Sequence, residues 1–397
     1  MAERSRRRIR LGMVGGGRGA FIGAVHRMAA CLDGQATLVA GALSSRPAEA
    51  VRSALEWDIE PGRAYPTWRE MLEREAALPP EARLDAVVIV TPNATHLEIA
   101  AAFAGAGFGV IIDKPMVTTR AEAAELAAAV TGSGVLCAVT FTYTGYPMLR
   151  EAARLARSGS LGTIRKVFVE YHQGWLATPL ETTGHKQAAW RTDPALAGPA
   201  GALGDIGSHA QNLVEMVTGL EIGSVCADVA VLVPGRRLDD DAGVLLRLTG
   251  GARGVLTCSQ VCAGEENELG LRVYGSEGGL RWTHARPDEL TIMSVRGERT
   301  IVTRGGTGVG PGPRSLTRLP GGHPEGFIEA LANIYRAVFA ALREGRTAPG
   351  EGPDGPEGLW FPSLAEGARS VRFTEAVLES ARHEGAWVDV GRSHRAS

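Results

Sequence analysis

The fold of this chain follows from one stretch near its beginning, Leu11-Gly12-Met13-Val14-Gly15-Gly16-Gly17-Arg18-Gly19-Ala20-Phe21-Ile22-Gly23. Its apolar start predicts a buried strand, and the segment that leaves the glycines predicts a helix. Glycines between a strand and a helix allow a tight turn, a close approach of the backbone to a pyrophosphate, and close packing of helix on strand. The helix N-terminus favours an anion because its N–H groups are free. The stretch therefore predicts a dinucleotide site, with a glycine-rich turn that binds nothing as the alternative.

The spacing of these glycines departs from the usual fingerprint of such sites. Gly15 and Gly17 occupy the first two positions, but Ala20 stands at the third and Gly23 follows it after a gap. The loop is therefore longer than usual, which leaves the individual pyrophosphate contacts open. The residues that we expect to contact a cofactor here are Gly15, Gly17, Arg18, Phe21 and Ile22.

Short apolar runs alternate with helical segments over the first third of the chain. The runs lie at 9–14, 36–43, 86–91, 108–112 and 135–140, and the helical segments at 19–32, 46–56, 66–76, 95–106 and 118–131. Strands that alternate with helices form a parallel sheet covered on both faces. We therefore predict a doubly wound α/β domain over residues 1–145, with its ligand at the carboxyl edge of the sheet.

The pattern changes after residue 145, where strands follow one another through short glycine-containing turns. Strands are predicted at 165–171, 224–233, 242–249, 252–260, 267–274, 278–283 and 288–294, and helices at 147–158, 201–218, 324–344 and 363–383. Successive strands with short turns pair antiparallel. Residues 146–397 are thus predicted to form a second α/β domain with an open, mainly antiparallel sheet. Segments 304–322 and 345–358 are predicted surface loops, and helix 324–344 between them is free to pack on either domain.

Composition argues against several classes of partner. The 397 residues carry a net charge of −2, which gives no electrostatic basis for binding nucleic acid or an anionic membrane. No segment approaches the roughly 20 apolar residues of a membrane span. The five cysteines are scattered, which is typical of free thiols in a reducing compartment. We therefore expect a cytoplasmic protein whose ligands are small molecules.

The residues after the second strand bear on which dinucleotide is preferred. An acid at this place usually binds the ribose of NAD, whereas a cation usually binds the 2′-phosphate of NADP. The chain has Ser44, Ser45 and Arg46 here and no acid, which favours NADP slightly and leaves NAD open. A solvated Arg46 in the first turn of the next helix is the alternative.

Two later strand ends carry polar residues. The first is followed by Thr91-Pro92-Asn93-Ala94-Thr95-His96, in which Asn93 and Thr95 are suited to cap the next helix. The second is followed by Asp113-Lys114-Pro115, and burying an ammonium group is costly unless it is paired or used. Lys114 is therefore a candidate catalytic residue, with a lysine that reaches out to solvent as the alternative.

A carboxylate and an imidazole lie close together in Gly204-Asp205-Ile206-Gly207-Ser208-His209. On a helix Asp205 and His209 share one face, where a carboxylate beside an imidazole fixes the ring and raises its basicity. Such a pair predicts a general base. The alternative is that Asp205 caps the helix while His209 is a buried structural histidine.

Taken together, these motifs resemble the Gfo/Idh/MocA family of oxidoreductases. The residues that carry the resemblance are the glycine turn, Thr91-Pro92-Asn93 with His96, Asp113-Lys114-Pro115, Trp190-Arg191, Gly204-Asp205-Ile206-Gly207-Ser208-His209 and Trp387-Val388-Asp389-Val390. The resemblance covers nearly the whole chain. Two departures from the family's pattern are three extra residues in the glycine loop, Gly19-Ala20-Phe21, and an aspartate at position 113 in place of glutamate.

The resemblance implies a Rossmann domain, an open sheet that serves in oligomerisation, and NAD(P)-dependent oxidation or reduction of a sugar, glycoside or cyclitol. It implies that His209 is the general base, that Asp205 orients it and that Lys114 hydrogen-bonds the reacting oxygen. Contacts with the cofactor are implied for Thr91, Pro92, Asn93, His96, Asp113 and Lys114. A homo-oligomer, either a dimer or a tetramer, is implied as well.

Flat aromatic and polar side chains are the candidates for holding a hydroxylated ring, which has apolar faces and a polar rim. They are Tyr143, Trp175, Lys186, Trp190, Arg191, Asn212 and His323. For the tryptophans, core packing is the alternative. Asp239-Asp240-Asp241 is interpreted as a turn with solvated charges rather than a metal site, because the sequence supplies no further oxygen ligands beside it. No metal is therefore predicted.

Two other functions compete with that of a dehydrogenase. A regulator could bind the cofactor and a sugar without catalysis, but the presence of Lys114, Asp205 and His209 argues against it. A glycosidase could use bound NAD for a transient oxidation, and it would cleave glycosides without net turnover of the cofactor.

Overall fold

Two sheets organise residues 7–391, the part of the chain that this computed structural model describes; 1–6 and 392–397, the ends of the two predicted domains, lie outside the described residues. The first sheet consists of β1 (Ile9–Gly15), β2 (Ala36–Ala42), β3 (Ala86–Val90), β4 (Gly109–Ile112) and β5 (Cys137–Val139). The helices between these strands are α1 (Phe21–Cys31), α2 (Pro47–Glu56), α3 (Trp68–Ala77), α4 (His96–Gly105) and α5 (Arg120–Ser133).

The first sheet has the strand order β2-β1-β3-β4-β5, and its neighbouring strands are parallel. This confirms the predicted doubly wound sheet. Strands β3 and β4 are fully buried, because apolar side chains pack against the sheet from both faces. The strand order reverses between β1 and β3, so the chain leaves the carboxyl ends of these two neighbouring strands in opposite directions and a crevice opens between them. Open α/β sheets bind their ligands at such a place.

The second sheet and its helices come from the rest of the chain. The strands are β6 (Ile164–His172), β7 (Ile222–Ala230), β8 (Asp241–Leu248), β9 (Arg253–Ser259), β10 (Glu268–Gly275), β11 (Gly278–Thr283), β12 (Glu289–Ser294), β13 (Arg299–Thr303) and β14 (Val388–Asp389). The helices are α6 (Pro147–Arg157), α7 (Lys186–Arg191), α8 (Pro194–Ala197), α9 (Ser208–Thr218), α10 (Pro311–Ser315), α11 (Phe327–Glu344) and α12 (Leu364–Arg382). Strands β13 and β14 and the short helices α7, α8 and α10 were not predicted, and α10 lies inside a predicted loop.

The order of the second sheet is β13-β12-β11-β10-β6-β9-β8-β7-β14. Its pairs are antiparallel except for β6 and β9, which run parallel, so the prediction of a mainly antiparallel sheet is confirmed. Buried and more exposed residues alternate along β6 and β8, as expected for a sheet with one packed face. Helices α6 and α9 pack against that face.

The last two long helices join the two sheets. Side chains of α11, among them Leu331, Ile334 and Tyr335, are buried with Leu11 and Val88 in the core of the first sheet. Helix α12 contacts α5 beside the first sheet and β7 in the second. None of the helices within residues 7–391 combines the length and apolar character that crossing a bilayer requires.

Candidate active site

The glycine turn, residues 15–23, connects β1 to α1 through backbone conformations that require glycine. Gly15 and Gly16 have φ angles of 81° and 75°, which other residues rarely adopt. A Cβ atom at Gly15 would lie 2.8 Å from Val90 O, and one at Gly17 would lie 2.5 Å from Leu43 O. The turn is therefore wedged between the ends of β2 and β3.

Gly23 supplies the close packing that the fingerprint assigns to its third glycine. A Cβ atom at Gly16 would lie 2.7 Å from Gly23 Cα, and a Cβ atom at Gly23 would collide with Gly16 O. Helix α1 begins at Phe21, two residues later than predicted, so the additional residues lengthen the loop and leave this contact intact. The displaced spacing therefore retains the close packing of helix on strand that the third glycine provides in the usual motif.

The geometry of this turn fits the pyrophosphate of a dinucleotide. Ala20, the N-cap of α1, makes no side-chain capping bond, and the first turn of α1 contains no acid. The N–H groups of the first turn of α1 thus have no side-chain acceptor and face the space outside the glycines. Because the glycines have no side chains, this space is open to a ligand. Arg18 is exposed beside this space, and Phe21 is 61% exposed. Ile22 instead packs on the core of the first sheet.

The end of β2 carries the residues that were predicted to contact the adenosine side of the cofactor. Ser44 Oγ accepts a hydrogen bond from Arg46 N at 3.2 Å, and Ser45 and Arg46 are exposed. The guanidinium of Arg46 has no hydrogen bond or ion pair with any residue in the described part of the chain. It is therefore available to a ligand.

The segment after β3 is fixed mainly by contacts within the protein. Asn93 is buried and donates through Nδ2 to Ala197 O at 2.9 Å, and Thr95 Oγ1 donates to Thr91 Oγ1 at 2.8 Å. Neither side chain caps α4, so the capping alternative is wrong. His96 is fully buried, with Nε2 2.9 Å from Thr91 O and Nδ1 3.0 Å from Pro115 O. Its ring connects the ends of β3 and β4 instead of pointing to a ligand.

Asp113, which replaces the family's glutamate, is held by side chains of the first sheet. Thr140 Oγ1 donates to Asp113 Oδ1 at 2.9 Å, and Nε2 of the buried His26 lies 3.9 Å from the same oxygen. The other ring nitrogen of His26 lies 2.7 Å from the hydroxyl of Tyr335 on α11. Burial disfavours the charged carboxylate, but His26, Lys114 and Thr140 outweigh it and hold the pKa of Asp113 well below its usual range.

Lys114 reaches from the first sheet to Asp205 in the second part of the chain. Its Nζ atom lies 2.8 Å from Asp205 Oδ1 and 2.5 Å from Asp205 O. The second carboxylate oxygen accepts from Arg191 Nε at 3.2 Å and from Gln260 Nε2 at 2.9 Å. Burial disfavours the charged carboxylate, but Lys114 and Arg191 outweigh it and hold the pKa of Asp205 well below its usual range. Asp205 is thus an anion shared by two cations.

His209 lies beside this ion pair and is 7% exposed. Its ring stands edge-on to Tyr143, with the ring centroids 4.8 Å apart, and its Nδ1 atom has no hydrogen-bond partner within the described residues. Burial, followed by the charge of Lys114, holds the pKa of His209 well below its usual value. The ring is therefore neutral at physiological pH, and the expected increase of its basicity by Asp205 is not found.

The expected hydrogen bond between Asp205 and His209 is not formed, and the prediction of a regular helix over 201–218 is wrong in its first part. Residues Leu203–Gly207 form a π turn, and α9 begins only at Ser208. A π turn takes more residues than an α turn, so positions four apart no longer stack on one face. The carboxylate consequently points to Lys114, Arg191 and Gln260.

The candidate substrate residues separate into two groups. The first group lies around His209 and Asp205. Tyr143 is buried beside His209, and Asn212 is buried on the same helix. Arg191 binds Asp205, and its guanidinium lies over the rings of Trp175 and Trp190. Lys186 is exposed and donates to Arg18 O at 3.3 Å, so it lies at the glycine turn and not at Asp205. His323 is exposed, with its Nδ1 3.2 Å from Pro320 O in its own loop.

A segment that we name the strap, residues 173–200, carries several of these side chains across the site. It contains α7 and α8, and it contacts the glycine turn through Lys186 and through Gln187, whose Nε2 lies 3.4 Å from Gly19 O. The carbonyl of Ala197 near its end binds Asn93. The strap thus connects the glycine turn to Asp205 through Arg191.

Sequence reasoning missed several polar and aromatic residues at this site. Gln260 binds Asp205, and Asn267 donates to Tyr143 Oη at 3.0 Å. Phe327 on α11 lies between two predicted residues, with its ring centroid 5.8 Å from that of Tyr143 and 6.4 Å from that of Phe21. These residues have no local motif, because only the pairing of the second sheet and the return of α11 bring them here.

A nicotinamide-dinucleotide fold joined to a lysine, a neutral histidine and a partly buried carboxylate defines an NAD(P)-dependent oxidoreductase. Comparison with known families agrees. Residues 9–141 match the oxidoreductase family with an NAD-binding Rossmann fold, and residues 149–281 match the GFO/IDH/MocA C-terminal domain. The chain belongs to the Gfo/Idh/MocA family.

Individual relatives match over almost the full chain. An inositol dehydrogenase homolog from Azotobacter vinelandii, solved in complex with NAD⁺, is 34% identical with a TM-score of 0.91, covering 97% of this chain and 98% of that one. The uncharacterized oxidoreductase YfiI of Bacillus subtilis is 33% identical over 96% of both chains. Levoglucosan dehydrogenase of Pseudarthrobacter phenanthrenivorans is 27% identical over 96% of this chain and 98% of that protein.

Proposed function

We propose that the protein transfers hydride between a nicotinamide and a ring hydroxyl or ketone of a sugar, glycoside or cyclitol. The observation that carries this proposal is the pairing of Lys114 with Asp205 beside a neutral, buried His209. The names of the relatives support the substrate class, since they are an inositol dehydrogenase homolog and a levoglucosan dehydrogenase.

The roles of the three residues follow from their charges. His209 is neutral and takes the proton of the substrate hydroxyl as oxidation proceeds. Lys114 donates a hydrogen bond to the same oxygen and stabilises negative charge there. Asp205 holds the ammonium group in place, a role that differs from the expected orientation of His209. When bound, NAD(P) supplies the hydride acceptor or donor.

Unpartnered polar atoms support a polyol as the ligand. His209 Nδ1 and Asn212 Oδ1 are both buried on α9 without a hydrogen-bond partner within residues 7–391. Buried polar atoms are costly unless they are paired, so we propose that hydroxyl groups of a bound polyol are their partners. The aromatic rings of Tyr143 and Trp175 are suited to the C–H faces of such a ring.

For the cofactor, we propose that the site accepts NADP as well as NAD. No acid follows β2, and the guanidinium of Arg46 is exposed and available to a 2′-phosphate. The complex of the Azotobacter homolog with NAD⁺ supports the use of NAD.

For its cellular setting, we propose a cytoplasmic homo-oligomer. The cysteines of the described residues are all free thiols, which is typical of a reducing compartment. The outer face of the second sheet, on which Leu245 is 48% exposed, is the surface that we propose for contact with another copy. Sedimentation at several protein concentrations tests the oligomer.

The experiment that tests the function is a screen of sugars, inositols and glycosides with NAD⁺ and NADP⁺ in parallel, monitored by nicotinamide absorbance. We expect substrate-dependent reduction with at least one polyol. Binding of a polyol and cofactor without turnover would favour a regulator instead. Glycoside cleavage without net change of the cofactor would favour a glycosidase.

A further inference from the structure

Asp239 is a buried carboxylate that binds the backbone just before the π turn. Its Oδ1 accepts from Gly201 N at 2.6 Å and its Oδ2 from Leu203 N at 2.7 Å, while its carbonyl oxygen accepts from Ala202 N at 2.9 Å. N–H groups at the start of a helix have no partner within the helix, so they depend on such acceptors. Asp239 thereby fixes where the π turn begins, and so it also fixes the position of Asp205 within that turn.

The interpretation of residues 239–241 as solvated charges is wrong for the first two of them. Asp239 and Asp240 are 7% and 1% exposed. Burial raises the pKa of Asp239, and the N–H groups of Leu203 and Gly201 act against this. A side chain at position 201 would collide with the Asp239 carbonyl oxygen. The contact is therefore close and specific.

Asp240 anchors the strap in the same region. Its carboxylate accepts from Arg236 Nη1 at 3.2 Å, and the side chain of Arg236 is only 2% exposed. Arg236 also pairs with Glu181 at 3.0 Å and donates to Thr178 O at 2.8 Å, both on the strap. The strap carries Arg191, which binds Asp205.

Asp240 also positions the other partner of Asp205. Its carbonyl oxygen accepts from Gln260 N at 2.9 Å, and the side-chain amide of Gln260 donates to Asp205 Oδ2. The π turn that contains Asp205, the strap that carries Arg191, and Gln260 thus all attach to the same two aspartates. Gln260 attaches through the backbone carbonyl of Asp240.

We propose that Asp239 and Asp240 are positioning residues that hold Asp205 and its partners against Lys114. The inference rests on the proposed function, in which Lys114 acts on the substrate oxygen. Neither aspartate touches substrate or cofactor in this scheme. Their effect is on the geometry of the ion pair, and a displacement of about 1 Å at a reacting group can lower a rate about 100-fold.

Asp241 offers a matched control within the same tripeptide. It is the first residue of β8, and its side chain makes no hydrogen bond with any residue among 7–391. Replacing it by asparagine removes the same charge as the other substitutions and leaves the contacts around Asp205 in place.

The test compares Asp239→Ala, Asp239→Asn, Asp240→Asn and Asp241→Asn with the wild type, using the most active polyol from the screen. We expect kcat to fall about 100-fold for Asp239→Ala and about tenfold for Asp239→Asn, which retains one acceptor. KM for the cofactor should remain within about twofold, because the glycine turn is untouched. Asp240→Asn should lower kcat, and Asp241→Asn should leave it unchanged.

A second readout, amide hydrogen exchange over residues 201–208, does not require activity. We expect faster exchange there in Asp239→Ala and Asp239→Asn and wild-type exchange in Asp241→Asn. Unchanged exchange in the Asp239 variants, or an equal loss of kcat in Asp241→Asn, would overturn the proposal. If the wild type turns over no polyol, the proposed function fails while the exchange measurement still decides this inference.

Discussion

The glycine turn and the cluster around Asp205 form the two ends of the site, and they are built in opposite ways. The glycine turn depends on side chains that are absent, since a Cβ atom at Gly15, Gly17 or Gly23 would collide with the backbone. The Asp205 cluster depends on side chains that are present, because Lys114, Arg191 and Gln260 all bind one carboxylate. One end is fixed by close packing and the other by charge and hydrogen bonds.

This difference predicts how each end should respond to substitution. Backbone packing fails abruptly, because a blocked turn has no alternative geometry. An ion pair held by several partners degrades in steps as each partner is removed. Substitutions at the two ends should therefore separate cofactor binding from turnover, and the following predictions test that separation.

The largest effect on kcat is expected at the cluster around Asp205. We predict that Lys114→Ala lowers kcat by about 10³-fold, because the reacting oxygen loses its donor and Asp205 loses its main partner. His209→Ala should have a similar effect. Stopped-flow turnover measures kcat, and a titration measures the affinity for the cofactor, which should remain close to that of the wild type. Lys166→Ala on β6 is the control. A variant of either site residue with near-wild-type kcat would show that its assigned role is wrong.

At the glycine turn, Gly23→Ala should lower both the affinity for the cofactor and the stability of the fold. A methyl group there meets the backbone of Gly16, and forcing it in should cost about 1–3 kcal/mol in the free energy of unfolding. Urea denaturation and cofactor titration measure the outcome. Gly132→Ala, in a part of α5 where an added Cβ meets nothing, is the control. Equal stability of the two variants would contradict the close-packing role of Gly23.

Acid should destabilise the fold through two buried histidine rings, His209 beside the Asp205 cluster and His96 after β3. Burial lowers the pKa of His209 and of His96, so each ring stays neutral in the fold while it gains a proton in the unfolded chain below about pH 6.5. The unfolded state then binds more protons, and stability falls with falling pH. We expect a loss of at most about 1.3 kcal/mol per ring between pH 7 and pH 5.5. Urea unfolding of wild type and His96→Gln measures it, and an identical pH dependence of both would contradict the contribution of His96.

The smallest effect concerns the choice of cofactor. Arg46→Glu should reduce the preference for NADP over NAD by about fivefold, which corresponds to one exposed ion pair. The measurement is the ratio of kcat/KM for the two cofactors, and Arg52→Glu on the same helix is the control. An unchanged ratio in Arg46→Glu would show that Arg46 does not contact the 2′-phosphate.

The two ends also differed in how far the sequence could predict them. The strands, the glycine turn and the position of Lys114 follow from local patterns, because they depend on residues that are neighbours in the chain. Gln260 as a partner of Asp205 does not, because only the pairing of the second sheet brings its side chain to that carboxylate. The contact of Asp239 with the backbone before the π turn does not follow either, because it joins residues far apart in the chain. The π turn at Leu203–Gly207 was missed for the same reason, since it is fixed by acceptors on a distant residue.

The return of α11 to the first sheet has a consequence for how the chain is made. Tyr335 and its neighbours on this helix are buried against α1 and β1, far from them in sequence. While the ribosome is still producing the second sheet, the nucleotide-binding half has an uncovered apolar face. A fragment that stops near residue 145 would expose this apolar face to water, which favours association with other chains. The packing of the cofactor half thus becomes complete only after α11 (Phe327–Glu344) has been synthesised.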